Sequence, residues 1–227
     1  MNDLKICFLV YGNGGNLKFF WLAKEKQLLS NIQLYTIAYK KCGAIDFALS
    51  KKIHSKILDY NFTYNIELLD ELSKINPDII ITNWHKIIDN DIVNLYKNRM
   101  INLHYSILPA FKGMIGIKKI LSEALKKNCQ YIGVSTHFVE DAVDDGFIIS
   151  QAIIKVNNKD QNILINETFQ KGAIILLNSV LLASSRIDIF NNNMLNLNDI
   201  EFFEFSPNLK FKLDCFTDAF WKELSIL

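Results

Sequence analysis

Three stretches of the chain combine residue types that do chemistry with a spacing that brings them together. The first reads Asn102-Leu103-His104-Tyr105-Ser106-Ile107-Leu108-Pro109. Residues 100–104 read as a β-strand, and side chains two apart on a strand point the same way, so Asn102 and His104 project together from its end. Ligands of open α/β sheets bind outside the carboxyl ends of the strands. A histidine there either packs or acts, and an Asn sharing its face favours a common ligand. The second stretch is Gly12-Asn13-Gly14-Gly15-Asn16, between a strand and a helical pattern. Free backbone N–H groups at a helix start form an anion site, and glycine lets a phosphate approach. A tight structural turn is the other reading. Leu17 stands where the dinucleotide fingerprint G-x-G-x-x-G needs its third glycine, and no G-K-[ST] follows. The third stretch is Glu140-Asp141-Ala142-Val143-Asp144-Asp145-Gly146, either a solvated surface loop or a hard-cation site. Its spacing matches no calcium loop, so no metal is expected.

Composition narrows the partners. The 227 residues carry 25 Lys+Arg against 24 Asp+Glu, a net charge of +1, with no basic run to hold a nucleic-acid backbone or an anionic membrane. Half of the residues are hydrophobic, and glycine (9) and proline (3) are scarce, which excludes disordered and low-complexity classes. Cys7, Cys42, Cys129 and Cys215 are far apart with no C-x-x-C pair, so they read as reduced thiols rather than a zinc knuckle or redox dithiol. The apolar run 6–11 is too short for a signal peptide. The longest uncharged stretch, 172–185, falls short of the roughly 18 residues a membrane span needs. A cytoplasmic protein is expected.

The elements that must position these residues alternate. Strands are expected at 6–10, 32–38, 79–82 and 100–104, and helices from Leu17 to Leu28 and at 44–52, 66–75, 87–95 and 117–126. Two β-rich runs follow, 131–139 and 147–156, joined by the acidic loop, and then a long helix at 165–184. This is an α/β fold with an open, mostly parallel twisted sheet and helices on both faces, Rossmann-like in plan. Residues 1–190 form the expected catalytic domain. Residues 191–227 form a C-terminal extension that begins at polar Asn191–Asn193 and carries Phe202, Phe203, Phe205, Phe211, Phe216, Phe220 and Trp221. So many aromatics imply packing on the body or on a partner, which leaves a homodimer open.

Together these features resemble the folate-dependent formyltransferase family from about Lys5 to Ala183. The specific match is Ile101-Asn102-Leu103-His104, Ser106, Leu108-Pro109 and Gly113, then Gly133, His137-Phe138-Val139, Asp144, Gly146, Ile148-Ile149 and Gln151. The resemblance implies a Rossmann-like formyltransferase fold and a catalytic set of Asn102, His104 and Asp144. It implies transfer of a formyl group from 10-formyltetrahydrofolate to a primary amine. Asn102 and His104 would serve the developing oxyanion, and Asp144 would orient His104 and relay the proton. Residues 10–17 resemble the glycinamide ribonucleotide branch, in which this loop holds the substrate phosphate, so Gly12, Asn13, Gly14, Gly15 and Asn16 are the expected acceptor-binding residues. The pterin would lie against the segments of Trp84, His85, Lys86 and Ile87 and of Glu140, Asp141 and Val143, although Trp84 and Ile87 also suit a core.

Some positions depart from the family pattern. Tyr105 stands where many relatives have proline, and Trp84-His85-Lys86 where an Arg is frequent. Lys171 or Gly172 stands where the glycinamide branch has a ribose-binding glutamate, and neither side chain accepts a hydroxyl hydrogen bond. The expected acceptor is a small phosphate-bearing amine, glycinamide ribonucleotide-like first, with a nucleotide-linked amino sugar for surface polysaccharide as the alternative. Methionyl-tRNA would call for a basic second domain, which the chain lacks. An idle binding module of the same fold has no need of Asn102, His104 and Asp144 together, and Leu17 disfavours a nucleotide-dependent oxidoreductase.

Overall fold

The computed structural model describes residues 2–59, 66–113, 116–156, 160–186 and 204–227. Leu4–Val10 (β1) is apolar on both faces: Ile6, Phe8 and Val10 enter one core cluster while Cys7 and Leu9 enter another. A strand buried on both sides belongs inside a parallel sheet covered by helices, and β1 lies there. Ile32–Ala38 (β2) and Ile79–Asn83 (β4) flank it, with His54–Ile57 (β3) beyond β2 and Met100–His104 (β5) beyond β4, all parallel. Tyr131–Phe138 (β6), Ile148–Lys155 (β7) and Phe205–Ser206 (β8) continue the sheet antiparallel, giving the order β3-β2-β1-β4-β5-β6-β7-β8.

Gly15–Glu25 (α1), Gly43–Ser50 (α2), Gln161–Ser184 (α6) and Asp218–Ile226 (α7) supply one core cluster. Ile66–Ile75 (α3) and Asn90–Leu95 (α4) supply the cluster of the other face, and Leu121 of Ile117–Lys126 (α5) packs with Ile154 and Leu164. The sheet is therefore mostly parallel with helices on both faces. The chain turns to opposite sides of the sheet after β1 and after β4, so the crevice between their carboxyl ends is the topological switch point where such sheets bind ligands.

Several boundaries differ from the periodicity reading. Strand β3 gives no apolar alternation because its side chains are exposed or half-buried at the sheet's edge. Helix α4 starts at Asn90 rather than 87, since Asp89 caps it by accepting the Asp91 N–H at 2.9 Å. Helix α6 starts at Gln161 rather than 165, with Asp160 accepting the Asn162 N–H at 2.8 Å; its polar first turn hides the start. Helix α2 ends at Ser50, two residues early.

The described part of the tail lies on the body. Residue Phe205 pairs with Ala152 of β7, and Phe216, Phe220 and Trp221 surround Phe19 of α1 with ring centroids 5.3, 5.7 and 5.7 Å away. Residues 191–193, Phe202, Phe203 and the boundary at 190/191 lie outside the described residues. No helix among the described residues is long and apolar enough to cross a membrane.

Candidate active site

Even-numbered residues of β5 share a face, which places Asn102 and His104 on the side of Met100. Both meet Asp144. The Asn102 Nδ2 group donates to Asp144 Oδ1 at 3.2 Å, and His104 Nδ1 lies 3.2 Å from Asp144 Oδ2. The three residues singled out in the sequence are thus brought together, and His104 and Asp144 are both buried. Asp144 reaches inward because its backbone takes the left-handed conformation, φ +53°, which Asp tolerates better than most side chains. The loop after β5 secures it: the Gly113 N–H donates to Asp144 Oδ2 at 2.8 Å, and Lys112 pairs with Asp145.

A fourth member is His137, which the family pattern contains and to which the sequence alone assigns no role. Antiparallel pairing sets His137 of β6 directly opposite Asn102. Its Nδ1 lies 2.8 Å from the Phe138 carbonyl oxygen, and its Nε2 lies 3.1 Å from Asn102 Nδ2 and 3.4 Å from Asp144 Oδ1. Thr82 Oγ1 donates to Asn102 Oδ1 at 3.3 Å. The Asn102 amide nitrogen thus faces both His137 and Asp144, while Thr82 meets its oxygen, and three neighbours hold its orientation.

The ring of His104 has an acceptor at each nitrogen, Asp144 Oδ2 at Nδ1 and the Phe111 carbonyl, 3.0 Å away, at Nε2. Only an imidazolium satisfies both. Burial opposes that charge and pulls the His104 pKa below its ordinary value, while Asp144 and the Phe111 carbonyl push back. For Asp144, burial alone would raise the pKa. The contact with His137, the Gly113 N–H and the charge of His104 outweigh it and hold the carboxyl below its usual range. A depressed histidine pKa means that the unfolded chain binds the extra proton first. Stability therefore declines as pH falls from about 7 through the ordinary histidine range. Denaturant unfolding between pH 7 and 5 should show a slope that His104→Gln reduces; an unchanged slope would remove His104 as its source.

The glycine loop sits at the carboxyl end of β1. Gly12 and Gly14 have φ of +85° and +70°, and a Cβ on Gly14 would come within 2.6 Å of the Ala44 Cβ. Both the turn and the contact with α2 thus require glycine. Helix α1 starts at this loop with no side-chain cap and no acidic residue in its first turn, and the leading N–H groups of a helix have no partner within it. Across the switch point, Asn16 Nδ2 donates to Asn83 Oδ1 at 3.0 Å, tying the loop to the end of β4.

The expected pterin segments divide. The ring of Trp84 is buried in the second core cluster and 5.7 Å from the Tyr39 ring, so the core reading holds for its side chain. His85, Lys86, Ile87, Glu140, Asp141 and Val143 are exposed on the loops after β4 and before β7. On α6, Lys171 turns away to pair with Glu204, and Gly172 packs under Tyr105, whose ring carbon lies 3.3 Å from where a Cβ would stand. The Tyr105 ring thus fills space that a side chain at 172 would need, and burial pushes its phenol pKa up to about 12.

Residues 4–181, which contain every member of this set, match the formyl transferase family. The chain belongs to the formyl transferase family. Over 166 residues it is 28% identical to the chloroplastic phosphoribosylglycinamide formyltransferase of Arabidopsis thaliana, an alignment covering 69% of this chain and 56% of that protein. The chain thus spans about half the length of that relative. It is 34% identical over 92 residues to the formyltetrahydrofolate deformylase of Haemophilus influenzae, covering 40% of this chain and 32% of that one. Among solved structures, the phosphoribosylglycinamide formyltransferase of Coxiella burnetii superposes with a TM-score of 0.71 at 25% identity, covering 82% of this chain and 89% of that one. The sheet is thus this family's fold, and the β5 pair and the Asp144 loop lie within the matched residues.

Proposed function

We propose that the chain is a 10-formyltetrahydrofolate-dependent formyltransferase acting on the primary amine of a small phosphate-bearing acceptor. The observation that carries this reading is the meeting of half-buried Asn102 with buried His104 and Asp144 beside the switch point. The set holds donors, a titratable ring and a carboxylate but no Ser, Cys or Lys nucleophile, which suits direct attack by an amine on a carried acyl group. When bound, 10-formyltetrahydrofolate supplies the formyl group and departs as tetrahydrofolate.

Each residue has a task in that transfer. Asn102 gives the formyl oxygen, as negative charge develops on it, a hydrogen bond from its amide nitrogen. In its imidazolium form His104, held between Asp144 and the Phe111 carbonyl, sets a positive charge beside that developing negative charge. Asp144, kept ionised by its donors, holds His104 and accepts, directly or through water, the proton that the amine nitrogen loses; that proton passes to N10 as the bond between N10 and the formyl carbon breaks. His137 fixes the Asn102 amide and is a positioning residue. The loops of residues 84–87 and 140–143 receive the pterin, and Gly12 to Asn16 receive the acceptor phosphate at the start of α1.

Glycinamide ribonucleotide is the first candidate acceptor, since relatives named for its formylation match most of the chain. A tetrahydrofolate-release assay tests this. Release that depends on glycinamide ribonucleotide supports the reading; no release with any phosphorylated amine and no folate binding would leave an idle module of the same fold.

A further inference from the structure

Gln151 of β7 stands in the family pattern, yet its hydrogen bonds go to Leu108 and Ser135 rather than to Asn102, His104 or Asp144. A carbonyl only accepts, so the Gln151 amide must turn its nitrogen toward the loop after β5. Its Nε2 donates to the Leu108 carbonyl at 3.1 Å and to Ser135 Oγ at 3.0 Å. Buried Ser135 carries the hold further, since its hydroxyl donates to the Ser106 carbonyl at 2.8 Å and accepts the Leu108 N–H at 2.9 Å. A hydroxyl has one hydrogen and two lone pairs, and Ser135 uses all three. Sheet register makes the meeting possible: Ser135 of β6 lies opposite His104 on one side and opposite Gln151 on the other.

The loop held in this way is the one that grips His104 and Asp144. Ser106 Oγ donates to the Ala110 carbonyl, and the Ala110 N–H donates to the Ile107 carbonyl at 3.0 Å, so the restraint at 106 and 108 passes along the turn. The turn then presents the Phe111 carbonyl to His104 Nε2 at 3.0 Å and the Gly113 N–H to Asp144 Oδ2 at 2.8 Å. Both are backbone groups, so the course of the chain decides where they stand. His104 faces Asp144, His137 and the Phe111 carbonyl; Asp144 and the carbonyl raise its pKa, while burial and His137 lower it. Drawing the Phe111 carbonyl away therefore lowers that pKa further.

We propose that Gln151 is a positioning residue for formyl transfer: its amide, acting with Ser135, sets the course of residues 106–113 and so places the Phe111 carbonyl on His104 and the Gly113 N–H on Asp144. Gln151 touches no reacting atom in this role and acts only through the loop. The role rests on the reading that the Asn102, His104 and Asp144 set formylates an amine.

Two substitutions in the full chain test it. Gln151→Met keeps the length of the side chain and removes the donor, so kcat should fall about 10- to 100-fold, the scale of a reacting group misplaced by about 1 Å, with KM for both substrates within about threefold. The His104 ring, followed by nuclear magnetic resonance, should titrate at lower pH than in the parent. Gln151→Glu is the closer isostere but sets a carboxylate against the Leu108 carbonyl, so it should lose at least as much turnover as the methionine variant. Turnover within about threefold of the parent in either variant, or a His104 titration that does not move, would overturn the role. A collapsed thermal melt in both variants would also overturn it, by making Gln151 structural. The titration needs no substrate, which separates the two readings. A shifted His104 in a protein whose parent transfers no formyl group would sink the transfer and leave the hold of Gln151 on His104 standing.

Discussion

Asp144→Asn should lower kcat/KM for formyl transfer by about 10³-fold or more, within the range that a positioned proton acceptor contributes, while the protein stays folded. Asparagine is the other residue that accepts the left-handed backbone found at 144, and its Oδ1 can still take the Gly113 N–H. What disappears is the charge. The substituted amide cannot accept the amine's proton, and His104 loses the neighbour that counters burial, so its pKa falls further. Steady-state kinetics paired with a thermal melt checks both halves. Turnover within tenfold of the parent would remove Asp144 from the chemistry, and a collapsed melt would recast it as structural.

Gly146→Ala should damage fold and activity together. A Cβ at 146 would sit 1.8 Å from the Phe138 carbonyl oxygen, a backbone atom that also accepts the His137 Nδ1–H. Neither partner is the free end of a flexible side chain, so the loop must move, and Asp144 and His137 move with it. The expected cost is on the order of 3 kcal/mol, the scale of a severe single substitution, or a melting temperature lower by roughly 6–12 °C. Denaturant unfolding and turnover on the same sample measure it. A variant as stable and as active as the parent would contradict the close approach of Gly146 to β6.

These two positions also show what a sequence can and cannot disclose here. Asn102 and His104 are legible from composition and period alone, because an apolar strand with polar residues two apart announces its face and its end. The glycines at 12 and 14 are legible as a turn, and the structure adds that Gly14 must also make room for Ala44. Asp144 is different. Its loop has the composition of a solvated surface, and its burial comes from a left-handed turn closed by the Gly113 N–H, 31 residues away in the chain. Only the family resemblance singled it out. The part played by His137 depends on the antiparallel register that pairs it with Asn102, and period-2 reading of a single strand carries no register. The β3 strand and the first turn of α6 escaped for a simpler reason: neither has an apolar stripe to read.

Transfer to an amine, as opposed to water, is the step that separates a formyltransferase from the deformylase that also resembles this chain. The direct measurement follows a radiolabelled formyl group from 10-formyltetrahydrofolate in the presence of a phosphorylated primary amine. The label should appear in the acceptor as a formamide, one for each tetrahydrofolate released, and His104→Ala should abolish it. Label that appears as formate at the same rate with or without the amine would contradict it.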